Sequence, residues 1–307
     1  MGNSSFGKGI FFAVLAFASW GILPLYWRLL AAVDPLHILS FRILFSLVLV
    51  AIILLVNKNF AWLKVFKEPK KGGLFVLSAF ILCFNWGLYI WAVSQKHTIE
   101  ASLGYFINPL VSIVLGLLFF REKLSALQWT AFGFAVLGVL ILTVLSGMLP
   151  WISIALALSF GVYGLLKKAL NLSALESLGA ETLAASPLGV ALLFFRIEGG
   201  AKGSVPDWHN FSYLAALGSH IWIPLAFIGF ISAFPLYFFG RSAKLLPLST
   251  LGFIQLVSPT FQFLVGLFIF HEYFPRYNFI AFSFIWLAVI LYVISLRSRS
   301  GKPQGSG

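Results

Sequence analysis

A single cysteine, Cys83, stands in the 307 residues, inside an apolar run. No disulfide can form within the chain, and the thiol reads as a small packing residue. Charge is scarce as well: Asp, Glu, Lys and Arg make up 10% of the sequence, against roughly 25% in an ordinary soluble domain. Acids are the scarcest, nine against 21 lysines and arginines. The five histidines (His37, His97, His209, His220 and His271) are scattered, with no HExxH pair and no metal-ligand spacing. No Walker loop is present, and no serine sits in a nucleophile motif beside a base. These gaps speak against an enzyme and imply neither metal nor cofactor.

What the chain has is hydrocarbon: 60% of its residues are hydrophobic and the mean hydropathy is +0.98. That composition belongs to an integral membrane protein. A helix crosses a hydrocarbon core of about 30 Å with roughly 20 apolar residues. Ten runs meet that length, over 8–30, 36–56, 72–94, 99–120, 126–146, 150–170, 174–196, 219–240, 246–270 and 277–296. Barrel strands would instead read as alternating segments of about ten residues. The first run has no small-residue cleavage site behind it and reads as an uncleaved span, and the final GKPQGSG reads as a tail.

The net charge of +12 is explained by topology rather than by nucleic acid, because most basic residues sit in short loops. With the N-terminus inside, fifteen of the 21 fall on the inner side, among them Lys58, Lys64, Lys67, Lys70, Lys71, Lys167 and Lys168. Five fall outside and Arg42 lies within a span. Both termini are therefore expected in the cytoplasm. The longest outer loop, about 197–218, carries Asp207, Trp208 and His209 and is expected along the interface.

Compared with itself, the chain repeats. FREKLSALQWTAFGF from Phe120 matches FHEYFPRYNFIAFSF from Phe270 at an offset of 150, pairing Glu122 with Glu272, Pro109 with Pro259 and Gly116 with Gly266. SLGYF from Ser102 matches TLGFI from Thr250, and GLYIWAVSQK from Gly87 resembles PLYFFGRSAK from Pro235. The halves are 1–148 and 149–307, five spans each. A unit with an odd number of spans enters the bilayer from opposite sides when repeated, so the halves are expected to be inverted. Inverted repeats suit secondary transporters, whose near-equivalent halves open one central site to each side in turn. A channel would show a filter-like glycine run or a charged ring, and neither is visible.

LSFRILFSL, SLGYFINPLVSIVLGLLFFREKLSALQW and LGFIQLVSPTFQFLVGLFIFHE resemble the RarD branch of the EamA family, within the drug/metabolite transporter superfamily. The likeness spans about 8–296. It implies an all-α polytopic fold of ten helices, in two inverted five-helix repeats around a central cavity, that exports small metabolites or drugs; this branch is associated with chloramphenicol resistance.

A charged side chain deep in lipid costs about 3 kcal/mol or more, so it should face protein or water and find a partner. Arg42 lies roughly 9 Å below the outer surface at 1.5 Å per residue. Alignment of LHILSFR with LESLGAE places Glu181 at the equivalent position of the second half. The two are expected within roughly 10 Å of each other along the membrane normal. Three roles stay open: a structural ion pair, an Arg42 contact to a substrate anion, and Glu181 as a proton-coupling carboxylate.

Other polar and aromatic exceptions fall at matching depths: Trp20, Asn85, Tyr89, Tyr105, Asn108, Tyr163, Tyr237 and Gln255. With Arg42 and Glu181 they form the candidate substrate site, its aromatic walls taking an apolar or ring-bearing moiety and its polar groups orienting the other end. The cavity is expected between the first, third, fourth, sixth, eighth and ninth spans. Pro24, Pro109, Pro235 and Pro259 each remove a backbone donor inside a span and are candidate hinges, or fixed kinks. Asn108, Ser112 and Gly116 form a small-residue stripe fitted for close helix approach. Glu122 and Glu272, next to Arg121 and His271, read as solvated or interfacial ion pairs. The expected partners are a small-molecule substrate and the lipid bilayer; the sequence assigns no state between monomer and homodimer.

Overall fold

The computed structural model describes residues 3–94, 97–146, 151–170, 172–193, 195–197, 204–206, 218–271 and 276–300. Helices dominate. In chain order they are α1 (Asn3–Leu29), α2 (Pro35–Val56), a single turn α3 (Ala61–Lys64), α4 (Pro69–Ser94), α5 (Thr98–Phe119), α6 (Ala126–Ser146), α7 (Trp151–Ala169), α8 (Ala174–Leu192), α9 (Ser219–Leu245), α10 (Leu248–Gln255), α11 (Val257–Phe268) and α12 (Arg276–Ser300). Among the described residues, eight segments are long and apolar enough to cross a membrane, α10 and α11 counting as one, and a shorter apolar helix covers Leu103–Phe119. Two short strands, β1 (Phe195–Ile197) and β2 (Ser204–Pro206), pair antiparallel. The seventh expected run forms α8, which is not one of the eight and ends at Leu192 rather than at 196, because the chain turns there and extends into β1. The expected interfacial residues Asp207, Trp208 and His209, like Glu272, lie outside the described residues.

Local sequence sets where these helices begin. Asp34 caps α2, its carboxylate accepting from the Leu36 amide at 2.8 Å, with Pro35 in the first turn where a missing N–H is harmless. At α8, Ser173 and Glu176 form a reciprocal capping box. Between α10 and α11 the helix breaks at Leu256. The cause is Pro259, whose ring clashes with the carbonyl four residues back, that of Gln255. Pro24, Pro109 and Pro235 sit inside unbroken helices.

The helices pack in a consistent scheme. α6 lies along α12, α2 along α8, α5 along α7, and α1 along α9 and α11. α4 packs on α7 and α8, α9 on α2, and α10 on α5. Outward faces carry large apolar side chains such as Leu118, Val144, Phe227 and Phe268, all exposed, as lipid contact requires. The small-residue stripe lies where α5 meets α10: Ser112 Oγ donates to Gln255 Oε1 at 3.4 Å. A Cβ on Gly252 would lie 2.6 Å from the Pro109 carbonyl oxygen, so backbones touch at this crossing. Both α5 and α11 lead into a residue with positive φ, Arg121 at 50° and His271 at 53°, the left-handed conformation that commonly ends a helix.

Candidate functional site

A cavity of about 110 Å³ opens in the middle of the bundle. α1 supplies Trp20, Pro24 and Trp27; α4 supplies Asn85, Trp86 and Tyr89; α5 supplies Gly104, Tyr105 and Asn108. α7 contributes Leu156 and Phe160, and the break between α10 and α11 presents Gln255, Ser258 and Gln262. Arg42 reaches in from α2. Seven of the ten expected site residues line this cavity: Trp20, Arg42, Asn85, Tyr89, Tyr105, Asn108 and Gln255.

The walls are aromatic and the polar groups are few. Tyr89 and Tyr105 meet edge to face at 5.6 Å. Trp20 sits among Phe17, Phe160 and Phe239 at 5.6, 5.5 and 5.8 Å between ring centroids, and Tyr163 stacks on Phe239 at 5.9 Å. Asn85 is held in place, its Nδ2 donating to the Leu156 carbonyl and to Ser159 Oγ, both at 2.8 Å. Asn108 Oδ1 and Ser258 Oγ are buried with no hydrogen-bond partner among the described residues, and both residues line the cavity.

Arg42 is the charge in this site. Its guanidinium carbon lies 3.9 Å from the Trp86 ring centroid and 4.9 Å from that of Trp27, and its Nε donates to Ser232 Oγ of α9 at 3.2 Å. Among the described residues it forms no ion pair. Cation–π contact with two indoles stabilises it by about 1–2 kcal/mol each where water is excluded.

Of the roles left open for Arg42 and Glu181, an ion pair between the two is not formed. Glu181, 2% exposed, pairs with Lys167 at 2.8 Å. It also accepts from Ser78 at 3.0 Å, Tyr163 at 3.2 Å and Ser177 at 3.4 Å. A void of about 20 Å³, touched by both Arg42 and Glu181, lies between this cluster and the cavity. Lys167, a loop cation by its place in the sequence, is 3% exposed: it projects from the last turn of α7 back between α7 and α8. Tyr163 is fully buried and belongs to the Glu181 cluster rather than to the cavity wall. Tyr237 lies on α9 with its hydroxyl accepting from Arg241 at 2.9 Å, and α9 does not line the cavity; its contribution is Ser232. Of the four prolines only Pro24 reaches the cavity wall.

Glu122 keeps an ion pair, with Lys168 rather than with the adjacent Arg121, and does more than that reading expected: its carboxylate caps α10, accepting from the amides of Leu248 and Ser249 at 2.7 and 2.8 Å and from Ser249 Oγ at 2.6 Å. A carboxylate at a helix N-terminus satisfies orphan donors and the helix dipole together. Lys168 stands 3.8 Å away and its Nζ donates to the Leu246 carbonyl. This clasp joins the ends of α5, α7 and α10. Glu122→Ala is expected to destabilise the protein by about 2 kcal/mol, the upper range for a lost cap, read as a lower unfolding temperature in detergent; an unchanged temperature contradicts the capping role. Gly116 makes room for the clasp: a Cβ there would lie 2.6 Å from Glu122 Oε2 and 2.8 Å from the Ser249 amide nitrogen. Gly116→Ala is therefore expected to cost about 1–3 kcal/mol through forced displacement, despite the better helix propensity of alanine, and the same melting experiment checks it.

Trp27, Trp86 and Ser258, which line the cavity, and Lys167, which pairs with Glu181, are not among the site residues that sequence reasoning selects. The two tryptophans are legible only as aromatic residues in their spans, and Ser258 as a small residue beside Pro259. Lys167 has one usable signal, an acid on the next helix.

The EamA-like transporter family matches residues 7–144. "Protein RarD" of Streptomyces exfoliatus is 43% identical over 284 residues, covering 92% of this chain and 87% of that protein. The "Uncharacterized transporter YojE" of Bacillus subtilis (strain 168) is 38% identical over 292 residues, covering 94% of each. A crystal structure 16% identical in sequence superposes with a TM-score of 0.70 over 98% of this chain and 100% of the other, a likeness of fold. A multi-pass bundle, an aromatic cavity holding one half-buried cation, and relatives named as transporters along nearly the whole chain agree: this protein belongs to the EamA-like transporter family, as a RarD-type permease of the drug/metabolite transporter superfamily.

Proposed function

We propose that the chain is a secondary-active exporter that moves a small amphipathic metabolite or drug across the cytoplasmic membrane by alternating access. Its ten spans would form two inverted five-helix halves, 1–148 and 149–307, with both termini in the cytoplasm. The observation that carries the reading is the central cavity, apolar and aromatic on its walls with Arg42, Asn85, Asn108 and Gln255 converging on it, the composition expected of a small-molecule site.

The packing scheme supports inverted halves. Moving each span five places along converts the α5–α7 contact into that of α11 with α1, α4–α7 into α9–α1, and α4–α8 into α9–α2, all of which exist. The pairs α2–α8 and α6–α12 are each made of equivalent spans. The positive-φ residues Arg121 and His271 are 150 positions apart, the offset of the sequence repeat. Against this likeness the break at Pro259 has no counterpart at Pro109, and unequal halves are what one state of a two-state carrier requires.

At about 110 Å³ the cavity is smaller than the roughly 150 Å³ that admits a benzene molecule. The conformation is thus contracted, and a ring-bearing ligand enters only after the helices part. We assign the clasp at Glu122 and the aromatic cluster of Trp20, Phe160 and Phe239 at the cavity wall to the inner gate. Glu181 enters this reading as a framework residue rather than as the coupling carboxylate, because Lys167 already neutralises it away from the cavity.

Proteoliposomes loaded with a defined library of small metabolites test the carrier reading. Saturable loss of particular members, accelerated by the same compound on the opposite side, is expected. Flux that rises linearly without trans-stimulation would indicate a channel-like facilitator, and chemical conversion of a library member an enzyme.

A further inference from the structure

Resting on that reading, we infer that the cavity is built for a net anion: a carboxylate docked end-on to Arg42, carried by an apolar or aromatic body that also bears one hydrogen-bond donor. Three observations converge. First, Arg42 has two indoles packed against it and its Nε engaged by Ser232, which leaves the Nη1/Nη2 edge for a ligand. That edge presents parallel N–H groups matched to the two oxygens of a carboxylate.

Second, among the described residues no aspartate or glutamate lines the cavity and Arg42 has no ion pair. A half-buried guanidinium without a fixed acid leaves room for one negative charge to be supplied by the occupant. The same lack of acid disfavours a zwitterion, whose ammonium would find no carboxylate in the wall. Third, Asn108 Oδ1 is a buried acceptor with no partner among the described residues, and Ser258 Oγ beside the helix break is likewise unengaged. An amide oxygen accepts only, so the complementary ligand group is an N–H or O–H. Leaving such groups unpaired is costly, and a ligand donor relieves it.

Matched acid and amide probes test this on the purified full chain. Indole-3-acetate is compared with indole-3-acetamide, N-acetylphenylalanine with its amide, and 4-hydroxybenzoate with 4-hydroxybenzamide, by thermal unfolding and by titration in nanodiscs. At least one carboxylate is expected to bind about tenfold or more tightly than its amide, the range for a charge-assisted hydrogen bond, and Arg42→Gln should erase the preference. Asn108→Leu should weaken the donor-bearing acids with the acid-over-amide preference kept. Equal binding of acids and amides, a panel in which no acid binds, or a preference that survives Arg42→Gln overturns the assignment. The carrier reading is separable: counterflow of a neutral amide with no acid preference keeps the carrier and discards the anion, whereas acid binding without any counterflow keeps the anion site and discards the carrier.

Discussion

Lys167→Met is expected to destabilise the protein by about 3–5 kcal/mol, the usual consequence of removing one member of a buried ion pair. The pair sits at 2.8 Å with both side chains 2% exposed, so the Glu181 carboxylate would remain in a dry interior with only Ser78, Ser177 and Tyr163 as donors. Removing both charges is a different matter. Lys167→Met with Glu181→Gln should recover most of the loss, because a buried pair replaced by neutral groups of similar volume is often no less stable. Unfolding temperatures of the four proteins in one detergent decide it. A single variant as stable as the wild type, or a double variant worse than either single one, would falsify the assignment of this pair to the framework.

Arg42→Gln is expected to act in the opposite sense, leaving stability intact and removing transport. No acid is orphaned when this cation goes, and the cation–π attraction of Trp27 and Trp86 that disappears with it is offset by relief of the desolvated charge. Flux of whichever library member the wild type carries should fall by roughly 10- to 100-fold, matching one missing charge-assisted hydrogen bond. Arg42→Lys should recover part of the flux only, since an ammonium keeps the charge but loses the planar fork. Near-normal flux in Arg42→Gln with correct insertion removes this side chain from the binding site. The two lysine and arginine experiments therefore separate a buried cation that holds helices together from one that waits for a ligand.

The cavity wall is legible from sequence wherever a polar side chain interrupts a long apolar helix. Asn85, Asn108, Gln255 and Arg42 are such interruptions, and lipid leaves them little choice but the interior. Which helix each meets is not written in the same pattern. The repeat matches Glu181 to Arg42, yet Lys167 is one short connection away in sequence and directly beside it in space. Lysines in last turns usually serve as loop cations, so its inward turn leaves no compositional trace. Glu122 is obscured for a related reason: its partners are backbone amides of α10, which no side-chain pattern announces. The helix ends agree to within about five residues: the first helix starts earlier and the eighth and tenth run longer than expected, and β1 cuts the seventh run short at Leu192.

On the proposed alternating-access cycle, the cation at Arg42, which has no ion pair among the described residues, also sets how the protein feels voltage. One elementary charge crossing the whole membrane field is worth about 2.3 kcal/mol per 100 mV. When access to the cavity passes from one face to the other, the field drop sweeps past this side chain. An empty cavity presents a positive charge to that sweep, and a cavity filled by a monoanion presents none. Turnover should then be voltage-sensitive in its empty return step and indifferent to voltage in its loaded step, so a polarised cell, negative inside, would drive anion extrusion without a second ion.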